Sequence, residues 1–270
     1  GNKFLSHIRE VDAIVHMIRC FDSDDIQNVN LTVDPIRDLE IIETEMMLAD
    51  LESIQKRLEK NNKKNVDEDQ LKLLEIASDC INNSKDIQIL HDQFEKKLIN
   101  QSGLLSLKPK IFVCNVDEAS VQSGNQYTEV FIKKFYEENT LIVSADIENQ
   151  INQLENEEKE NYMQMIGLKK TGLNMLIQKG YNVLELDTYF TSGPEETRAW
   201  TIPRNCTAPK AAGEIHTDFE KGFIRAETIA YDDFITNDGW NNSKTNGKMR
   251  LEGKDYIVKD GDILNFRFNT

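Results

Sequence analysis

Lys110-Ile-Phe-Val-Cys-Asn-Val-Asp-Glu118 carries the deciding pattern: a β-rich apolar run, introduced by Pro109, that stops in a polar loop. It reads as a strand with a loop at its carboxyl end. Tyr127 to Glu138 follows as a helix, with Val130, Ile132, Phe135 and Tyr136 for packing. Thr140-Leu-Ile-Val143 is a second β-rich run, ending in Ser144-Ala145, and helical segments fill about 147–166 and 171–181. Strands alternating with helices predict a parallel α/β sheet, whose ligands bind at the carboxyl ends of the strands. Asn115 and Ser144 both stand at such ends. Upstream, residues 13–21 read as an apolar strand buried on both faces. Residues 4–10 read as the end of a helix, and Asp22 to Asn30 as loop.

Between these strands the period changes. Asp34 is placed to cap a helix with Pro35 in its first turn. Leu39, Ile42, Met46 and Ala49, with Met47, Leu51, Ile54 and Leu58, then give a long amphipathic helix. Lys60 to Asn65 reads as a polar turn. A second helix is expected from about Glu68 to Leu98, striped by Leu73, Ile76, Cys80, Ile87, Leu90, Phe94 and Leu98. Two long helices joined by a short turn predict an antiparallel hairpin that packs on itself. Past Leu186 the rhythm shortens. Thr188–Ser192 and Thr197–Ile202 read as strands, Ala211–Phe223 as a helix and Ile224–Ala230 as a strand. Tyr256–Val258 and Ile263–Phe268 are read as strands flanking a tight turn at Lys259-Asp-Gly-Asp262. A small sheet gripping one helix is a β-grasp arrangement.

Composition narrows the function classes. The 270 residues hold 39% apolar side chains, enough for a core, yet no run of about 18 that could span a bilayer. Gly1-Asn2-Lys3 lacks the apolar stretch of a signal peptide. Cys20, Cys80, Cys114 and Cys206 form no CxxC pair and read as reduced core thiols of a cytoplasmic protein. The net charge of −15 argues against a chain-wide electrostatic grip on nucleic acid. Residues 187–270 carry 11 basic and 14 acidic side chains, so local basic patches are expected only there.

In P-loop GTPases the loop matching Asn115-Val-Asp-Glu118 reads Asn-Lys-x-Asp. Its Asn braces the loop and contacts the base, and its Asp forks onto guanine. Here Val116 replaces the Lys and Glu118 the Asp, so guanine selectivity is expected to weaken. Ser144-Ala145-Asp146 matches the neighbouring base-side loop, usually Ser-Ala-Lys. Each motif alone is weak; together, after two apolar strands separated by one helix, they are moderately specific. The sequence contains no GxxxxGK[ST], because Gly247-Lys248 is followed by Met249 and Gly253-Lys254 by Asp255. No residue here is therefore expected to cradle β- and γ-phosphates or to hold Mg²⁺ through that motif. His7, His16, His91 and His216 lack metal-ligand spacing. His16 reads as a core residue, and His216 with Asp218 as a local hydrogen-bonded pair.

Longer blocks carry a resemblance. Gly1-Asn-Lys-Phe-Leu-Ser-His-Ile-Arg-Glu-Val-Asp-Ala-Ile-Val-His-Met-Ile-Arg-Cys-Phe21 resembles the segment after the second switch of Obg-like ATPases of the YchF subfamily. Val33-Asp-Pro-Ile-Arg-Asp-Leu-Glu40 and Met47-Leu-Ala-Asp-Leu-Glu52 resemble the start of that family's helical arm. Arg198-Ala-Trp-Thr-Ile-Pro203, Ala211 to Ala226 and Glu252 to Asp262 are similar to its C-terminal TGS domain. The resemblance implies an α/β fold: an incomplete P-loop NTPase (Ras-like) parallel sheet, an inserted antiparallel helical hairpin and a C-terminal β-grasp (ubiquitin-like TGS) domain. Residues 1–34 and 104–186 would form a partial nucleotide-binding domain, 35–103 a coiled-coil insertion and 187–270 the TGS domain.

It also implies function. Asn115, Val116 (through its backbone) and Glu118 would line the base of ATP or GTP, with Ser144 and Ala145 closing the other side. The family binds and hydrolyses ATP, often in preference to GTP, and acts with ribosomes in translation or stress control. The chain starts beyond the point where the phosphate loop, first switch and DxxG motif are expected, so Mg²⁺ would be held only with that part present. The family's hydrolytic His falls in the loop here reading Asp25-Ile-Gln-Asn-Val29, where Asn28 takes its place. Asn cannot accept a proton at neutral pH. Hydrolysis by this chain alone is not expected. The alternative is a non-catalytic ribosome- or RNA-interaction module using the helical arm and the TGS domain. Arg204, Lys210, Lys244, Lys248, Arg250 and Lys254 are the candidate RNA contacts.

Overall fold

The structure, a computed structural model, describes residues 2–24, 26, 32–61, 67–135 and 137–269. The chain divides into two compact units, Gly1–Val183 and Leu184–Thr270.

The first unit runs α1 (Asn2–Glu10), β1 (Ile14–Arg19), α2 (Pro35–Asn61), α3 (Glu68–Asn82), α4 (Leu90–Gln93), α5 (Lys96–Ser102), β2 (Lys110–Asn115), α6 (Gln126–Phe135), β3 (Thr140–Val143), α7 (Ala145–Gln153), α8 (Asn156–Met165) and α9 (Gly172–Leu184). Its sheet has the order β1-β2-β3, parallel throughout, as the alternation of strands and helices predicts. Arg19 pairs with Asn115, and Asn115 with Val143, so the strand ends that carry the polar loops lie side by side. β1 departs from expectation. Ile14, His16 and Ile18 are buried, but Val15 and Met17 are exposed. It is a strand covered on one face, where Ile14 joins Met46 and Leu105, and Ile18 joins Leu39, Cys114 and Phe131.

α2 is 27 residues long. Asp34 Oδ1 caps it by accepting from the Arg37 N–H at 3.0 Å. Leu39, Met46, Asp50 and Ile54 recur at 3.6-residue spacing and are buried. The carboxylate in that apolar row is fully used. Asp50 accepts from Leu105 N (2.9 Å), Ser106 N (2.8 Å) and Ser106 Oγ (2.7 Å). Burial raises the Asp50 pKa, against the opposing pull of those donors. Arg57 Nη1 donates to Ser102 O at 2.6 Å, so the end of α5 and the segment after it are both bound to α2.

The second long helix expected over Glu68–Leu98 is broken. α3 stops at Asn82, Ser84 takes φ 52°, and Asp86 caps a 3₁₀ turn at Ile87–Ile89 through the Gln88 N–H. The chain then folds back through α4 and α5. Its apolar stripe still finds one core: Leu73, Leu74, Cys80, Ile87, Leu90 and Ile99 cluster with Ile54 of α2. Asn62 to Val66, where the polar turn was read, lie outside the described residues. The helical run expected over 147–166 is likewise two helices, parted at Leu154 in extended conformation (φ −88°, ψ 153°).

The second unit runs β4 (Leu186–Ser192), β5 (Thr197–Pro203), α10 (Ala208–Ile215), α11 (Thr217–Lys221), β6 (Phe223–Ile229), α12 (Tyr231–Thr236), α13 (Trp240–Thr245), β7 (Arg250–Glu252) and β8 (Ile263–Phe268). The mixed sheet has the order β5-β4-β8-β6-β7, with β4 and β8 parallel and the other pairs antiparallel. Ala208, Ala211 and Ala212 let α10 lie close over Tyr189, Ala226 and Phe266. The Tyr189 hydroxyl is satisfied by Ala211 O at 2.9 Å.

Two expectations fail here. Ala211–Phe223 is not one helix: His216 is extended (φ −162°, ψ 143°), and its Nδ1 accepts from the Asp218 N–H at 3.2 Å, capping α11. His216 and Asp218 are thus a local hydrogen-bonded pair, as read from the sequence, joined through the Asp218 backbone N–H, with Asp218 Oδ2 3.4 Å from the same nitrogen. Tyr256–Val258 is not a strand paired with β8. Its backbone bonds instead to the α10 entry, Ala208 N to Tyr256 O at 2.8 Å and Val258 N to Cys206 O at 2.9 Å. Asp262 holds the turn by accepting from Lys259 N (3.0 Å) and the Tyr256 hydroxyl (2.6 Å).

Candidate functional site

The loops after β2 and β3 are tied to each other. Asn115 Oδ1 accepts from the Ala145 N–H at 3.0 Å, and Val116 N donates to Val143 O at 2.9 Å. The Val116 side chain is buried beside Cys20, Cys114 and Phe131, so only its backbone is offered to a ligand. Asp117 Oδ1 accepts from Ser120 N at 2.9 Å and caps the 3₁₀ turn Glu118–Ser120. That turn leaves Glu118 exposed, and its Oε1 accepts from Gln150 Nε2 at 2.5 Å. Ser144 is 1% exposed, and its Oγ has no hydrogen-bond partner among the described residues. Asn115, Val116, Glu118, Ser144 and Ala145 are thus brought to one end of the parallel sheet.

A supporting network was not read from the sequence. Asn125 Nδ2 donates to Cys20 O at 2.7 Å, while its Oδ1 accepts from Tyr127 N and Thr128 N and caps α6. The Tyr127 hydroxyl donates to Asp22 Oδ2 at 2.7 Å, a bond that raises its pKa. Asn125 therefore joins the carboxyl end of β1 to α6. Its signal was available: an Asn before a helix, with a Thr three residues on, has the form of an N-cap. At the next corner Glu148 Oε1 accepts from Gly172 N at 2.6 Å, fixing the start of α9 against α7. A Cβ at Gly172 would come within 2.6 Å of Val143 Cγ1.

The other candidates are dispersed. Burial lowers the pKa of His16, which stacks on Phe112 with ring centroids 5.6 Å apart. Its Nε2 lies 3.4 Å from Glu43 Oε1, and Glu43 also pairs with Lys110. His16 is a core residue, as expected. All four cysteines are free and buried, and a hydrogen bond with Cys114 raises the pKa of Cys20. Asn28 lies outside the described residues. Of the six basic residues considered for RNA, Arg204 pairs with Asp187, Lys248 with Asp233, and Arg250 with Glu252 and Asp262. Lys210, Lys244 and Lys254 are exposed. Among the described residues no group of three or more His, Cys, Asp or Glu is placed to hold a metal, and no helix is long and apolar enough to cross a membrane.

The parallel sheet of the first unit and the mixed sheet of the second define an α/β protein with the fold of a YchF GTPase. The solved Schizosaccharomyces pombe YchF GTPase matches 99% of this chain and 75% of its own, with TM-score 0.77 and 34% identity. A GTP-binding protein from Pyrococcus horikoshii, 16% identical with TM-score 0.58, shares the fold. Residues 186–269 match the family model YchF-GTPase_C, described as a protein of unknown function (DUF933). The Ribosome-binding ATPase YchF of Haemophilus ducreyi is 47% identical over 278 residues, covering all of this chain and 76% of that protein. That of Bacillus subtilis is 44% identical over 282 residues, and Obg-like ATPase 1 of Rattus norvegicus 39% over 285. The chain belongs to the YchF/Obg-like ATPase family.

Proposed function

We propose that this chain forms the base side of a nucleotide site that takes ATP or GTP. Asn115 braces the site, the Val116 backbone and Glu118 line one edge of the base, and Ser144 and Ala145 line the other. The observation that carries the reading is the 3.0 Å bond from Ala145 N to Asn115 Oδ1, which holds the two loops at a fixed spacing. The polar groups fit a base: backbone groups, an unpartnered buried hydroxyl at Ser144 and one carboxylate that accepts. That carboxylate would repel a phosphate. Phosphate-side chemistry, and the Mg²⁺ that accompanies it, is not assigned to these residues.

Around this site the reading keeps 1–34 and 104–186 as the partial nucleotide-binding domain and 35–103 as a helical insertion. Residues 187–270 are read as a TGS-type β-grasp domain, a reading supported by the order β5-β4-β8-β6-β7 with α10 against it. Relatives carry the name ribosome-binding ATPase. We infer a cytoplasmic, ribosome-associated role for this chain, with RNA contact directed to Lys210, Lys244 and Lys254 rather than to the ion-paired Arg204, Lys248 and Arg250.

Isothermal calorimetry of the chain with ATP and GTP tests the site. ATP is expected to bind, and Asn115→Ala to weaken it about fivefold to tenfold, the worth of one good hydrogen bond. The absence of binding heat with both nucleotides overturns the reading.

A further inference from the structure

Gln150 stands between two groups that fix its orientation. Its Nε2 donates to Glu118 Oε1 at 2.5 Å, and its Oε1 accepts from the Tyr162 hydroxyl. A carboxylate can only accept. The amide nitrogen must therefore face Glu118, and the carbonyl is left for the one donor on its other side, the phenol. A reversed amide would set its oxygen against the carboxylate. Three elements are linked in this way: Tyr162 on α8, Gln150 on α7 and Glu118 in the turn after β2.

We propose that Gln150, oriented by Tyr162, sets the base preference of the site by occupying one of the two carboxylate oxygens of Glu118. The proposal rests on the base-side reading above. Guanine presents two adjacent donors on its pairing edge, N1–H and the exocyclic amine, and suits a carboxylate with both oxygens free. Adenine presents one donor there, its exocyclic amine, beside the bare acceptor N1. With one lone pair of Oε1 engaged by Gln150, Oε2 is the oxygen of Glu118 left with both of its acceptor sites. That matches adenine's one donor and forfeits one of guanine's two. A second unengaged oxygen would also set its lone pairs against the lone pair of adenine N1, and the bond from Gln150 weakens that repulsion. Gln150 and Tyr162 are thus positioning residues. Neither needs to touch the nucleotide to act.

The test measures dissociation constants for ATP and for GTP on the full chain and on Gln150→Leu and Tyr162→Phe. Gln150 is exposed and Tyr162 half-buried, so both variants are expected to fold, which far-UV circular dichroism checks. Gln150→Leu should lower the ratio Kd(GTP)/Kd(ATP) about fivefold, the value of one recovered hydrogen bond. Tyr162→Phe should lower it in the same direction by about twofold, because the freed amide can turn away. A merely structural role would weaken both nucleotides together and leave the ratio unchanged. That result overturns the role of Gln150 while leaving the base site standing. A wild-type chain that binds neither nucleotide overturns the base site, and this inference with it.

Discussion

Asp50→Ala should be among the most damaging single changes in the first unit. The side chain lies on α2 with no exposed surface and accepts from Leu105 N, Ser106 N and Ser106 Oγ at 2.9, 2.8 and 2.7 Å. Removing it strands two backbone N–H groups in a site that water does not reach. Each buried, unpaired donor costs about 1–3 kcal/mol. The Ser106 hydroxyl can turn elsewhere, and the cost of burying a carboxylate is recovered, so the two amides dominate. The net loss should be about 3 kcal/mol. For a unit of this size that corresponds to a fall in melting temperature of about 6–12 °C. Urea unfolding followed by circular dichroism measures it directly, with Asp50→Asn as the isosteric control. One amide oxygen replaces two carboxylate oxygens, so Asn should recover only part of the loss. A change below about 1 kcal/mol for Asp50→Ala would refute the reasoning, since it would mean the segment Leu105–Ser106 finds its bonds elsewhere.

Two other perturbations test neighbouring features. Burial lowers the His16 pKa, so the folded chain binds fewer protons than the unfolded one as pH drops below the unfolded value of about 6.5. Stability should fall from there down to the folded value, by up to about 1.4 kcal/mol per pH unit. His16→Phe, which keeps the stack on Phe112, should flatten that slope in melts run between pH 7.5 and 5.5. Gly172→Ala places a methyl 2.6 Å from Val143 Cγ1 and 2.9 Å from Cγ2, and should destabilise by about 1–3 kcal/mol in chemical denaturation. It should also weaken ATP, because Val143 O carries the Val116 N–H bond.

Periodicity was enough for the parallel sheet. Lys110–Asn115 and Thr140–Val143 are strands at the ends read from sequence, and the loops after them meet. Packing was legible even where helix ends were not: the stripe from Leu73 to Leu98 enters one core although the helix breaks at Asn83. No Gly or Pro marks that break; its local signal is the polar run Asn82-Asn83-Ser84-Lys85-Asp86, in which Ser84 adopts φ 52°. In the C-terminal unit the strand read at Tyr256–Val258 had the right composition. Bonds to Cys206 and Ala208, about 50 residues earlier, drew it out of the sheet. The partners of the site residues were the least visible. Asn115, Glu118 and Ser144 are marked by motif and Asn125 by its cap position, whereas Gln150 acquires its role only through a contact 32 residues away.

α2 belongs to two interiors. Its first half, through Leu39 and Met46, closes the core beneath β1 and β2, while Ile54 and Leu58 close the one shared with α3, α4 and α5. Asp50 sits where one interior gives way to the other. A helix of about 40 Å with no interruption carries one hydrogen-bond ladder through both interiors, each of which it helps to close. The insertion and the sheet should therefore open together, with amides of Leu39–Met46 and Ile54–Leu58 exchanging with solvent at a common free energy. Through that rigid shaft, a load applied to the helical region is felt at the strands whose far ends carry the base loops.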